Sequence, residues 1–260
     1  MMKGELRFAL FYGDSFMLHT LVRWLLIGSI ALFIFSFWHR NDLPQSAQLS
    51  PQLLQAPIQT QVNQPVINKE VGGISYHIQP LYQYELYGLV VSQHDATSWQ
   101  DYLHQQWNDK LNIRDICVLW GNNAQSGVYQ QFKFWSGQFT CNFSTRSTPA
   151  FQAFDQTAIS NNHLLTANPE LLKKVASISI GDSIHIRGYL ANYSHNQGFA
   201  FQRGTSTTRA DTGNGACETI YLEDVDIIQR SPLPYRLLMW LAVVACVVSV
   251  IAWMALPFKP

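Results

Sequence analysis

Two long apolar segments, one near each end of the 260-residue chain, most constrain what it can fold into. The first, Trp24 to Trp38, contains no charged residue, and the long side chain of Arg23 can reach lipid headgroups. The second, Leu237 to Leu256, contains no charge and no polar stripe. A helix needs about 20 apolar residues to cross ~30 Å of hydrocarbon. The sequence therefore predicts transmembrane helices over residues 17–38 and 237–256.

A cleaved signal peptide is the alternative interpretation of the first segment. It requires small residues before the cleavage site, whereas Phe35, Phe37 and Trp38 end this segment. We therefore expect an uncleaved anchor that follows an N-terminal tail of residues 1–16. Residues 257–260 form a short tail after the second segment.

Two spans place both termini on one side of the membrane and everything between them on the other. Basic residues decide the orientation only narrowly, with four near the termini and three between the spans. Because the first helix usually dominates, we favour cytoplasmic termini in an inner or plasma membrane. Residues 39–236 are then periplasmic or otherwise extracytoplasmic.

The polypeptide between the spans changes character near residue 70. Residues 39–70 are rich in Gln and Pro, contain no aromatic residue and show no helical or alternating period. This composition predicts an extended tether. Residues 71–230 have a globular pattern and are predicted to form a soluble domain. Residues 231–236 remain as a juxtamembrane linker.

The globular region alternates predicted strands with two predicted helices, which indicates a mainly β, α+β fold. Ser98 and Asn168-Pro169 have the residue types that begin helices. The predicted elements in chain order are a strand at Tyr82–Val91 with a bulge at Gly88, a helix at about Ser98–Leu111 with an apolar stripe, a strand at Asp115–Trp120, a hairpin within Val128–Phe143, a helix from Asn168, a strand within Ile178–Leu190 after a Gly181-Asp182 turn, and a final strand within Cys217–Ile228.

The order of these elements resembles an OB-fold barrel. The residues that carry the resemblance are Gly181, Asp182, Ile184, Ile186, Gly188, Tyr189 and Leu190, together with the first strand around Tyr87–Val91. The resemblance covers residues 74–230 and implies a small closed barrel with two accessory helices. The helix at 98–111 departs from it, because that fold usually has a short loop there.

The segment Gln202 to Glu218 is the most unusual part of the domain. Arginine, hydroxyl groups and exposed backbone amides suit an anionic, oxygen-rich group. In an OB fold this segment would join the fourth and fifth strands, where one of the ligand-binding loops lies. The alternative is a loop whose polar side chains bind its own backbone. The candidate binding residues are Arg203, Thr205, Ser206, Thr207, Thr208, Arg209 and Asp211.

Three cysteines lie in the globular region, and their spacing fits neither a zinc site nor a thioredoxin-like motif. In an oxidising compartment we expect one disulfide, between Cys141 and Cys217, because Cys117 lies in an apolar strand typical of a core position. A catalytic thiol would need a nearby base. His163 with Cys217 is the weaker catalytic alternative.

Neither a metal nor a cofactor is expected from the sequence. His94 and His104 have Asp95 and Asp101 nearby, but the spacing matches no established ligand pattern. Solvated or helix-capping roles are the simpler interpretation of these side chains.

The charge of the domain does not favour nucleic acid, because ten basic and thirteen acidic residues lie between Val71 and Arg230. We therefore expect a non-enzymatic, membrane-anchored binding or scaffold module of a bacterial-type cell envelope, which meets a protein partner or a small anionic ligand. A membrane-bound hydrolase or thiol enzyme is one alternative. A subunit of a larger membrane assembly is another, in which Ala242, Ala245, Ser249 and Ala252 would form a helix contact face.

Overall fold

A computed structural model describes residues 2–211 and 217–256, with side chains from Met17 onward. The predicted C-terminal tail, residues 257–260, lies outside the described residues. The chain divides into a helical unit, formed by residues 1–42 and 233–260, and a β-rich unit formed by residues 43–232. The described residues include six α-helices and ten strands.

The helical unit contains α1, Met2–His39, and α6, Tyr235–Ala255. The backbone of the predicted N-terminal tail is therefore helical from Met2. Within these helices, Met17–His39 and Tyr235–Ala255 are long and apolar enough to cross a membrane. Only 17% and 11% of their most apolar windows are buried, which distinguishes them from the core helices of a soluble domain.

The two helices pack against each other in antiparallel orientation. The ring of His19 contacts Trp253 near one end, and His39 contacts Tyr235 near the other. The buried residues on the two helices are mostly small and recur every seven residues, which is the period of left-handed helix pairing. They are Val22, Ser29 and Ser36 on α1, and Ala242 and Ser249 on α6. Two residues of the predicted contact face therefore pack within this chain.

Five strands of the β-rich unit form a ring. Neighbouring strands pair antiparallel throughout, except for the third and fourth around the ring, which pair in parallel. The first strand also pairs with the fifth and closes the ring. In spatial order the strands are β3 (Ile74–Asp95), β4 (Asn112–Leu119), β7 (Ile159–Leu165), β10 (Cys217–Gln229) and β8 (Ser183–His195).

The other elements surround this ring. The described strands outside it are β1 (Ile58–Gln61), β2 (Ile67–Val71), the hairpin of β5 (Lys133–Gly137) and β6 (Thr140–Ser144), and β9 (Phe201–Arg203). The helices are α2 (Tyr102–Gln106), α3 (Gly121–Ser126), α4 (Thr148–Ala153) and α5 (Pro169–Ala176), with 3-10 turns at Ser46–Gln48, Pro51–Leu54 and Val128–Gln131.

The ring closes because β3 is long enough to pair with two neighbouring strands. Its residues His77 to Leu89 pair with β8, and Leu89 to Asp95 pair with β4. Two glycines permit close approach at these contacts. A Cβ on Gly88 would lie 2.1 Å from Cγ1 of Val118, and one on Gly188 would lie 2.3 Å from the carbonyl oxygen of Tyr221.

Buried aliphatic side chains fill the core of the β-rich unit, each contributing about 1.5–3 kcal/mol. Ring strands supply residues such as Leu86, Ile116, Leu164, Ile186 and Ile220, and α5 adds Leu171 and Val175. The sequence prediction of α5 is confirmed. The Asn168 side chain accepts a hydrogen bond from the backbone N–H of Glu170 at 2.9 Å, and Pro169 occupies the first helical position.

The prediction of a tether over residues 39–70 is wrong for most of its length. Leu53 is fully buried, and β1 and β2 both pair with β3. The β-rich unit therefore begins at Leu43. Short strands at a sheet margin keep polar, exposed side chains, so their sequences lack the alternation by which strands are recognised.

The helix predicted over Ser98–Leu111 is much shorter than its apolar stripe suggested. Asp101, rather than Ser98, is the N-cap of α2, and Trp99 is 84% exposed. Asn108 adopts a φ of 52°, which is incompatible with a continuing right-handed helix. The apolar residues predicted between Ser98 and Leu111 therefore do not lie on one face of a single helix.

Candidate functional site

A cleft of about 960 Å³ lies beside the first residues of β10. It is lined by the β5–β6 hairpin, the beginning of β7, β9 with residues 204–211, and the beginning of β10. Its aromatic lining includes Trp107, Phe139, Phe143 and Phe201. All the predicted loop residues line the cleft except Thr207, whose carbonyl oxygen accepts a hydrogen bond from Gln59 Nε2 at 3.0 Å.

Three hydroxyl groups of this loop, those of Thr205, Ser206 and Thr208, bind the protein itself. Ser206 Oγ donates to Asp211 Oδ2 at 2.6 Å and contacts the carbonyl oxygen of Thr208 at 2.8 Å. Thr205 Oγ1 accepts a hydrogen bond from the backbone N–H of Thr219 at 2.9 Å. These hydroxyl groups therefore bond partly to the loop's own backbone, as the alternative interpretation expects, and partly to the Asp211 side chain and to Thr219.

Arg209 is held by a buried carboxylate. Its guanidinium donates hydrogen bonds to Glu218 and to the hydroxyl of Tyr84. Glu218 is 3% exposed, and its burial raises its pKa from 4.5 to about 7, although the charge of Arg209 opposes this shift. Arg209 therefore uses donors on both of its terminal nitrogens within the protein and shapes the cleft.

Arg203 is placed differently. Its Nη2 lies 2.6 Å from Nε2 of His163, and its guanidinium stacks 4.1 Å from the ring centre of Phe139. It forms no ion pair with any carboxylate in the described residues, in contrast to Arg209. A guanidinium has five N–H donors, so Arg203 retains donors for an additional acceptor.

A buried carboxylate fixes the imidazole that contacts Arg203. His163 Nδ1 lies 2.5 Å from Asp115 Oδ1, and both side chains are fully buried. Burial disfavours ionisation of Asp115, but attraction to His163 and the surrounding hydrogen bonds outweigh it and hold the pKa well below its usual range. Burial lowers the pKa of His163, and Arg203 adds to this effect against the attraction of Asp115.

The lowered pKa values of Asp115 and His163 indicate where the protons of this pair lie. A neutral His163 donates its Nδ1–H to the ionised Asp115, so its Nε2 lone pair faces Arg203. Asp115, His163 and Arg203 thus form one hydrogen-bonded series that ends at the cleft.

Phe139 supports this series from the hairpin. It has a φ of 62°, an uncommon backbone conformation whose cost is about 1–3 kcal/mol. Two hydrogen bonds fix it: its N–H donates to Asp115 Oδ2 at 3.1 Å, and its carbonyl oxygen accepts from Asn161 Nδ2 at 3.0 Å. Its ring then packs between the guanidinium of Arg203 and the ring of His104, whose centre is 4.2 Å away.

The predicted disulfide between Cys141 and Cys217 is wrong. Cys141 pairs with Cys117, with their Cα atoms 5.5 Å apart, and the bond joins β6 of the hairpin to β4 of the ring. Cys117 is buried as expected of a core residue, but the packing of the hairpin places Cys141 beside it. Cys217 keeps a free thiol.

Among the residues that the structure describes, the hydrogen-bond partners of the free thiol include no base. Cys217 Sγ lies 3.6 Å from Asn161 Nδ2 and 3.7 Å from the carbonyl oxygen of Phe139, and burial raises its pKa. Both ring nitrogens of His163 already have partners, and none of the hydrogen bonds among the described residues joins His163 to Cys217. The geometry therefore lacks the thiol–imidazole contact that the enzymatic alternative needs.

A second polar cluster continues from Asp115. Asn112 Nδ2 lies 2.8 Å from both Asp115 Oδ1 and His104 Nε2. His104 Nδ1 and His94 Nε2 contact the same atom, Asp101 Oδ2, at 2.7 and 2.6 Å. Asp95, the other nearby acid, instead pairs with Arg114 at 3.5 Å.

Sequence reasoning did not identify Asp115, Asn112, Asn161, Phe139 or Glu218 as site residues. A lone carboxylate within an apolar strand, such as Asp115, was the one available signal, because buried charges require partners. The complete site combines one cation that has no carboxylate partner within the described part of the chain, a stacked aromatic ring and a buried pair that fixes the cation. Comparison with protein-family models, curated proteins and solved structures finds no match to this chain.

Proposed function

We propose that this chain is a two-span membrane protein whose β-rich unit is an OB-fold-like barrel that binds the anionic group of a protein partner or small ligand. The five-stranded ring and the position of α5, between its third and fourth strands in chain order, support the barrel assignment. The cleft borders β7 and the segment that joins the fourth and fifth strands, which is where such barrels bind ligands.

The membrane assignment rests on the helical unit. Its apolar segments have 23 and 21 residues, and Trp38 and Trp253 are exposed near their C-terminal ends, as is typical of interfacial tryptophans. A disulfide within the β-rich unit supports an oxidising, extracytoplasmic location for that unit, with both termini in the cytoplasm.

Arg203 is the observation that carries the binding proposal. It is a cation at an aromatic-lined cleft, it has no carboxylate partner among the described residues, and His163 and Phe139 hold it in place. Planar guanidinium groups bind carboxylates and phosphates through paired hydrogen bonds. A binding role is favoured over catalysis because His163 and the Cys217 thiol are both engaged in other contacts.

The proposal is tested on the full chain in detergent micelles. Tri-glutamate, tri-glutamine and inorganic phosphate are titrated while the fluorescence of the tryptophans, which include Trp107 at the cleft, is recorded. We expect saturable binding of tri-glutamate or phosphate that weakens at high salt, and none of tri-glutamine.

Arg203→Gln should weaken that binding at least tenfold, because it removes the charge-assisted hydrogen bonds. Arg146→Gln is the matched control, since it removes an exposed arginine that does not line the cleft. Equal binding of all three probes, or equal losses in the two variants, would contradict an anion site at Arg203.

A further inference from the structure

The second polar cluster places three potential metal ligands around one point. We propose that His94, Asp101 and His104 bind a divalent transition-metal cation of the zinc class. Their ligand atoms, His94 Nε2, Asp101 Oδ2 and His104 Nδ1, all lie within 4.8 Å of one another. Two imidazole nitrogens and one carboxylate oxygen form a donor set that zinc uses with an open fourth position.

The local fold explains why these residues meet although they are separated in sequence. Asp101 caps α2 and His104 lies in its first turn, so a three-residue spacing brings their side chains together. His94 comes from the end of β3, seven residues earlier, after which the chain turns back. A strand residue combined with a helix cap produces a spacing that resembles no established motif.

The distances require a small opening of the cluster. Zinc bonds of about 2.0–2.2 Å in a tetrahedron separate neighbouring ligand atoms by roughly 3.3 Å. The nitrogen-to-oxygen distances are 2.6 and 2.7 Å, so each would lengthen by several tenths of an ångström. His94 is 19% exposed, whereas Asp101 and His104 are buried, so His94 has room to move and marks the route by which an ion enters.

Neighbouring groups orient the ligands. The backbone N–H of His104 donates to Asp101 Oδ1 at 2.8 Å, which leaves Oδ2 for the cation. Binding through Nδ1 moves the proton of His104 to Nε2, where it needs an acceptor. Asn112 Oδ1 is buried with no hydrogen-bond partner in the structure, and rotation of that amide would supply the acceptor at the expense of the bond to Asp115.

The test uses the full chain without an affinity tag, in metal-free detergent solution. Zinc chloride is titrated by calorimetry, and cobalt chloride is titrated by visible absorption, since tetrahedral cobalt has characteristic bands. We expect one equivalent of zinc per chain, and no comparable binding of magnesium, which prefers all-oxygen octahedral sites.

His94→Gln should weaken zinc binding at least 100-fold. Because His94 is partly exposed, we expect this variant to keep the native fold. Asp101→Asn should have a similar effect, because asparagine remains a good helix N-cap but removes the charged ligand. His77→Gln, at an exposed histidine of β3, is the control and should bind normally. Absence of zinc binding by the native chain, or equal affinity in the His94 and His77 variants, would overturn the proposal.

Discussion

At the scale of single residues, His163 acts as a positioning residue for Arg203. Asp115 holds one ring nitrogen at 2.5 Å, which turns the other toward the guanidinium. Neither Asp115 nor His163 lines the cleft. In the proposed anion site, their contribution would be the fixed orientation of Arg203, which lowers the entropy that binding must overcome.

Glu218 is a buried carboxyl group that makes the stability of the domain depend on pH. Its burial raises its pKa to about 7, while Arg209 favours the ionised form, Asp211 disfavours it, and Tyr84 shares the same arginine. The folded domain therefore binds a proton at Glu218 more tightly than the unfolded chain does. Between pH 4.5 and about 7, this side chain makes stability fall as pH rises.

We expect Glu218→Gln to remove that part of the pH dependence. Over this interval the wild-type free energy of unfolding should fall by on the order of 3 kcal/mol more than that of the variant. Thermal unfolding followed by circular dichroism from pH 4.5 to 8 measures the difference. Glu223→Gln, at an exposed carboxylate, is the control, and identical profiles for both variants would show that Glu218 titrates normally.

At the scale of elements, local sequence signals identified those structures that depend on local interactions. Asn168-Pro169 located the start of α5, and the aliphatic alternation after Asp182 located β8. The two uncharged apolar runs located the long helices. These signals are visible in sequence because helix caps, turns and apolar periods act over a few residues.

The third strand of the ring was missed for a physical reason. Four consecutive residues of β7, Ser160, Asn161, Asn162 and His163, are polar yet buried. Ser160 and Asn162 bond to each other, and other partners come from distant parts of the chain. Asn162 bonds to the carbonyl oxygen of Ile116, and His163 bonds to Asp115. Such a strand depends in part on partners that are distant in sequence, so hydrophobicity alone assigns it to a loop.

Part of the candidate site could be predicted from the sequence, and the part that depends on long-range contacts could not. Arg203 was identified because arginines cluster in an unusual loop, and its position at the cleft followed from the order of the elements. The different roles of Arg203 and Arg209 could not be read from the sequence. They depend on Glu218 and His163, which only the folded ring brings to the two arginines.

Residues 43–70 allow a direct test at the element scale. Leu53 is fully buried in a cluster with Leu89, Leu119 and Tyr129, whereas its neighbour Leu54 is 47% exposed. Leu53→Ala should destabilise the β-rich unit by about 2–5 kcal/mol through loss of packing. Leu54→Ala should change stability by less than about 0.5 kcal/mol. Chemical unfolding of the full chain in detergent distinguishes this from a tether, for which both substitutions would be neutral.

At the scale of the whole molecule, membrane orientation gives a paired prediction. Alkaline phosphatase, which is active only outside the cytoplasm, is fused after Arg230 in a chain truncated there and after Pro260 in the full chain. We expect activity from the first fusion and none from the second, because in the proposed topology α6 returns the chain to the cytoplasm. Reversed activities would invert the topology and also contradict the location inferred from the Cys117–Cys141 disulfide.

The polar contacts of the β-rich unit run without interruption from His94, near the surface, through Asp101, His104, Asn112 and Asp115 to His163 and Arg203. A metal cation bound at the His94 end and an anion bound at Arg203 would therefore be coupled through this series of hydrogen bonds. Cooperativity between the two binding events would be reciprocal, because thermodynamic linkage requires that each ligand change the affinity for the other by the same factor.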